Sequence, residues 1–131
     1  MRIELTMLGA SLVLAIVQIG LAGHFRTRDY GTKWNTGARD EAMPPLSPLA
    51  GRFVRAQANL FETLPLFIGA VLACAVTDRF DARSAWGAQI FFWARVVYVP
   101  LYAAGVPVVR SLVFLIATVG LLMVIWSLMF G

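Results

Sequence analysis

Residues 52–76 read RFVRAQANLFETLPLFIGAVLACAV, an apolar run interrupted on one stripe by Arg55, Asn59 and Glu62. Spacings of four and three residues put these side chains on a single helical face. An ionised group at membrane depth costs about 2.5–3.5 kcal/mol on insertion scales, so such groups are rare and turn inward. The stretch therefore predicts a transmembrane helix with a polar face directed into a helical bundle.

The rest of the chain agrees with that reading. Of its 131 residues, 60% are hydrophobic and only 14% are charged, where a soluble domain carries about 25% charged residues. The mean hydropathy is +0.76. A chain this short holds one domain. The net charge of +4 suits a basic rim against anionic lipid headgroups. The basic residues are scattered and no recognition module is visible, which argues against a nucleic-acid partner. Cys74 is the only cysteine, so no internal disulfide is expected.

Hydropathy predicts an all-α, integral membrane four-helix bundle, with transmembrane helices over about residues 5–25, 53–76, 84–104 and 107–130. The first apolar run has no small-residue cleavage site and reads as a retained helix rather than a signal peptide. The first connection, residues 26–52, is long and polar, with Arg26, Arg28, Lys33, Arg39 and Arg52. Excess Lys and Arg marks the cytoplasmic side. The first and third loops are therefore expected to face the cytoplasm, with both termini outside it.

That topology gathers polar groups from three helices at one depth. Arg55, Asn59 and Glu62 lie in the first half of the second predicted helix. Arg95, Tyr98 and Tyr102 end the third, and Arg110 with Ser111 begins the fourth. Arginine offers a planar fork suited to carboxylates or phosphates and stays charged. Glu62 is suited to an ammonium group or to a neighbouring arginine. The cluster fits a small zwitterion with several carboxylates, and its positive charge is of the kind that stabilises a thiolate.

Structural roles compete with these. Arg55 and Glu62 are able to pair with each other or across subunits. Arg110 is placed to snorkel, Tyr98 and Tyr102 to form an interfacial belt, and Ser111 to bond its own backbone. His24 has no partners for a metal site, and no P-loop, HExxH, GxSxG or CxxC motif is present.

At these residues the chain resembles the MAPEG family, membrane-associated proteins of eicosanoid and glutathione metabolism. Arg55-Ala-Gln-Ala-Asn59-Leu-Phe-Glu62 is similar to that family's helix-two signature. Ala94-Arg95-Val-Val-Tyr98-Val-Pro-Leu-Tyr102 is similar to its helix-three motif, and Arg110-Ser111 to the start of its helix four. The first loop resembles that of bacterial members, implying a bacterial inner membrane.

The resemblance implies a homotrimer that binds glutathione as co-substrate between subunits near the cytoplasmic face, for transfer to a hydrophobic electrophile from the bilayer. Arg55, Asn59, Glu62, Arg95, Tyr98, Tyr102 and Arg110 would bind the tripeptide, with Arg110 and Ser111 activating its thiol. Arg26 or Arg28 would add a basic contact from helix one. The prostaglandin-synthesising members differ, with histidine at Tyr98, arginine at Ala58 and tyrosine at Phe114, so that reaction is not expected. The competing expectation is a non-catalytic membrane protein whose polar cluster binds another ligand or cements the oligomer.

Overall fold

A computed structural model describes residues 2–131 as five helices. They are α1 (Ile3–Tyr30), α2 (Thr32–Thr36), α3 (Pro48–Thr77), α4 (Ala82–Ala103) and α5 (Pro107–Phe130). The four long helices are those the hydropathy predicts, and no strand occurs among the described residues. By length and apolarity, α1, α3 and α5 are able to cross a membrane. The helix α4 falls outside that group, since it carries Arg83, Gln89, Arg95, Tyr98 and Tyr102 among its apolar residues.

Two expected boundaries are corrected. The first helix continues beyond residue 25 to Tyr30, where the loop that follows binds its last turn through Asp29 and Tyr30. The second predicted helix, α3, begins at Pro48 rather than at residue 53. Ser47 caps it by accepting a hydrogen bond from the Ala50 N–H at 3.3 Å, and Pro48 supplies a first-turn φ already suited to a helix. The loop expected over residues 26–52 shrinks accordingly to residues 31–47 and contains α2.

The long helices alternate in direction. Phe25 at the end of α1 stacks on Phe53 near the start of α3, with ring centres 4.7 Å apart. At the opposite end the Ser84 hydroxyl donates to buried Glu4, so the beginnings of α1 and α4 lie together. The α3–α4 and α4–α5 connections are tight turns that reverse the chain. The helix α1 packs on α3 and α4, α5 packs on the same pair, and α1 does not touch α5. Phe67 of α3 and Phe91 of α4, stacked at 4.1 Å, form the middle of the core with Val71, Cys74, Leu121 and Val124.

The α1/α4 end is tied by Asp81, the N-cap of α4. Its carboxylate accepts from the Ser84 N–H at 2.9 Å and from the Ser127 hydroxyl of α5 at 2.6 Å, while the Ser84 hydroxyl accepts the Asp81 N–H. The Ser127 hydrogen bond, then the Ser84 N–H, hold the Asp81 carboxyl below its usual range. A depressed carboxyl stabilises the fold above its unfolded pKa, about 3.9, and loses that contribution as pH falls through the folded value. Asp81→Ala is therefore expected to cost about 1 kcal/mol at neutral pH. In thermal melts in detergent, the gap from the parent should close below about pH 4. A gap that stays constant with pH would exclude the carboxylate as its source.

Candidate functional site

Near the other end of the bundle, α3, α4 and α5 each contribute polar side chains to one network. Arg95 of α4 is fully buried, an uncommon state for arginine. Its Nη1 donates to Asn59 Oδ1 of α3 at 2.7 Å. Its guanidinium lies 4.3 Å from the centre of the Tyr98 ring and 6.0 Å from that of Phe114. Both distances are within cation–π reach, and low dielectric strengthens such contacts. About three turns of helix separate Arg95 from Ser84, so the network lies far from the Asp81 tie.

A second group borders the first. Arg55 of α3 donates through Nε to the Tyr102 hydroxyl at 3.1 Å. Arg110 of α5 stacks on the Tyr102 ring at 4.7 Å, and Tyr98 and Tyr102 have ring centres 5.5 Å apart. Tyr102 thus lies between two guanidinium groups, accepting from one and facing the other. Arg52, one turn before Arg55, reaches the Ala103 carbonyl at 3.3 Å and packs over Gly105. With φ +75°, Gly105 takes the left-handed conformation that ends α4 and turns the chain into α5. That turn sets Arg110 beside Tyr102.

A cavity of about 260 Å³ opens among these groups, lined by Asn59, Tyr98, Arg110, Ser111, Phe114 and Leu115. One wall is polar and the other is apolar. Leu115 is exposed on the outer face of α5, so the apolar wall continues onto the surface that the hydropathy assigns to lipid. The Ser111 hydroxyl donates to the Pro107 carbonyl at 3.1 Å, the self-bonding anticipated for it, yet Ser111 still borders the cavity. Because Arg95 engages Asn59 Oδ1, the Asn59 amide nitrogen is left as the group's donor. An acceptor such as a carboxylate or a peptide carbonyl is what that donor takes.

The structure brings Arg55, Asn59, Arg95, Tyr98, Tyr102, Arg110 and Ser111 into one region. Glu62 stands apart. It lies one turn beyond Asn59 but is exposed on the protomer, while Arg55 is engaged with Tyr102 and Arg95 with Asn59. Pairing of Arg55 with Glu62 inside one protomer, one of the two structural roles open to them, is therefore not what the protomer adopts. Arg26 and Arg28 stack locally, on Trp34 and Phe25, and neither borders the cavity. Sequence reasoning passed over Leu115, whose only signal was its place one turn beyond Ser111.

An all-helical bundle with three membrane-length apolar helices and a basic, aromatic cluster among them defines an integral membrane protein with an internal polar site. The chain belongs to the MAPEG family, whose model matches residues 7–130. No curated protein and no solved structure matches it.

Proposed function

We propose that the chain is a glutathione-dependent transferase or peroxidase of the membrane, acting on hydrophobic electrophiles. The observation that carries this reading is the cavity itself, where Asn59, held by buried Arg95, together with Tyr98 and Arg110 faces an apolar wall open to the lipid side. Glutathione presents two carboxylates, two peptide carbonyls, one ammonium and one thiol. Arg55 and the Asn59 amide suit the carboxylates and carbonyls, with Arg95 fixing Asn59 from behind.

In this reading all four long helices span the membrane, with the site near the cytoplasmic face and both termini on the other side. The protomers form a homotrimer. Exposed Glu62 supports the oligomer, since a carboxylate at membrane depth needs a partner that the protomer does not supply. A neighbouring copy, or the ammonium of a glutathione held between copies, meets that need. Arg110 stabilises the thiolate. Lowering a thiol pKa from about 8.5 by about two units corresponds to about 2.7 kcal/mol, within reach of cations in low dielectric. The thiolate then forms a sulfur–carbon bond with the electrophile as the leaving group departs. With a peroxide, sulfur attacks the terminal oxygen as the O–O bond breaks and the alcohol leaves, and a second glutathione then displaces water from the sulfenic acid to give the disulfide.

Calorimetric titration of glutathione into the detergent-solubilised protein, up to millimolar concentration, tests the proposal. Saturable binding is expected, with at least a tenfold loss in Arg55→Ala and in Glu62→Gln, about the effect of removing a charged hydrogen-bond partner. No binding by a folded, oligomeric protein would overturn it. The Arg95–Asn59 bond favours one second reading, because it closes between two helices without a ligand and would by itself cement the bundle. On that reading, binding is absent and Arg95→Met still lowers stability.

A further inference from the structure

Gln18 is a polar residue that the site described above does not use. It lies on α1 in the buried stripe Met7, Ser11, Ala15, Gln18, Ala22 and is 2% exposed. Neither its Nε2 nor its Oε1 has a protein partner, and the same is true of Arg95 Nε and Nη2. Arg26 Nε at the far end of α1 is a fifth such atom, but the four on Gln18 and Arg95 concern the bundle interior. An unmet buried polar atom costs about 1–3 kcal/mol, so they are not expected to stay unmet.

The helix register puts these atoms at one level. Glu4 and Ser84 touch, and α1 and α4 run in the same direction from that contact. Gln18 follows Glu4 by the same number of residues as Tyr98 follows Ser84, so equal rise brings Gln18 level with Tyr98. The Arg95 guanidinium is stacked on Tyr98 and is therefore at that level too. On α3, Ala15 packs against Leu60 and Leu64, and moving one turn along antiparallel helices pairs Gln18 with the level of Asn59.

We infer that Gln18, Arg95 and Asn59 form a hydrated polar layer across the bundle, and that Gln18 is a positioning residue for the site. One water accepting from Arg95 Nε–H and Nη2–H and donating to Gln18 Oε1 satisfies three of the four unmet atoms. Three hydrogen bonds are what a buried water typically makes. A halide would instead accept from both Arg95 groups and from Gln18 Nε2–H and leave Oε1 unmet, so the two occupants differ in the Gln18 atom they engage. Held from the α1 side, Arg95 keeps its grip on Asn59 Oδ1 and leaves the amide nitrogen facing the cavity. Gln18 thus acts at a distance from the ligand, through Arg95.

The consequence for ligand rests on the glutathione reading, whereas the water does not, so the test has two independent arms. The first is an experimental structure of the full chain in lipid nanodiscs at a resolution that shows water. Density is expected within hydrogen-bond distance of both Gln18 and Arg95. A dry site, a halide, or a direct Gln18–Arg95 bond overturns the layer.

The second arm titrates glutathione into Gln18→Met and Gln18→Glu. Methionine fills the same space without polar atoms and should weaken binding about tenfold. Glutamate has the same length, accepts from the same water and adds charge attraction to Arg95, and should restore most of the affinity, which a merely packing role would not do. Unchanged affinity in a folded Gln18→Met protein overturns the positioning role. If the parent itself binds no glutathione, the proposed function fails, and the first arm alone decides the layer.

Discussion

Gly120→Leu is expected to leave no bundle that melts cooperatively in detergent. Gly120 of α5 and Gly87 of α4 face each other so closely that a Cβ built on Gly120 would lie 2.6 Å from the Gly87 carbonyl oxygen and 2.7 Å from the Phe91 nitrogen. A Cβ on Gly87 would meet the Gly120 carbonyl oxygen at 2.6 Å and Met123 Cβ at 2.8 Å. The obstacles include backbone on both sides, so no rotamer change relieves them. The two helices must separate, and α4–α5 is the most extensive contact in the fold. Small residues let helix backbones approach where the hydrophobic effect does not drive association.

Even Gly120→Ala should cost about 1–3 kcal/mol by overpacking, despite the better helix propensity of alanine. Gly9→Ala in α1 serves as the control, because nothing lies within 4 Å of its added Cβ. Gly9→Ala is expected to be neutral or stabilising. Melting curves of the three variants in one detergent, beside size-exclusion profiles, settle the matter. Equal stability of Gly120→Ala and Gly9→Ala would refute the close approach.

The second large effect is catalytic. Arg110→Ala is expected to lower glutathione-dependent turnover at pH 7 by about 25-fold, the thiolate fraction lost when a thiol pKa rises from about 6.5 to about 8.5. Affinity should fall only a few-fold, since the proposed function gives Arg110 the thiol and leaves carboxylate binding to Arg55. The sign of the pH effect follows directly. A cation lowers the bound thiol's pKa, so its removal moves the rising limb of the rate profile to higher pH. Activity should then recover above about pH 8.5, where free thiols ionise unaided. Equal losses of turnover and affinity, with an unshifted profile, would remove Arg110 from the thiolate role.

Much of the architecture was legible because membrane helices announce themselves locally. A long apolar run has one stable solution in lipid, the helix, so hydropathy alone located α1, α3 and α5. Hydropathy also located α4, although its apolar run is broken by Arg95, Tyr98 and Tyr102. Boundaries beyond the lipid were less legible. The extension of α1 to Tyr30 is held by contacts that no local pattern shows. Asp29 accepts the Ser47 N–H at 2.8 Å, and the Tyr30 hydroxyl donates to the Pro44 carbonyl at 2.6 Å.

The site divides in the same way. Residue types and periodicity by themselves placed Arg55, Asn59, Glu62, Arg95, Tyr98, Tyr102, Arg110 and Ser111 near one level, since each helix repeats every 3.6 residues and the turns between them are short. The pairing of these groups was decided only by tertiary structure. Arg55 and Glu62 are seven residues apart on one helix and look like natural partners, but the approach of α4 gives Arg55 to Tyr102 and Asn59 to Arg95. Gln18 was silent in the sequence, since a lone amide in an apolar helix points to nothing until a neighbour's register is known. Local periodicity specifies which side chains face inward. Which inward-facing groups meet depends on rotation and register between helices, and those are fixed by non-local contacts such as Glu4–Ser84 and Gly87–Gly120.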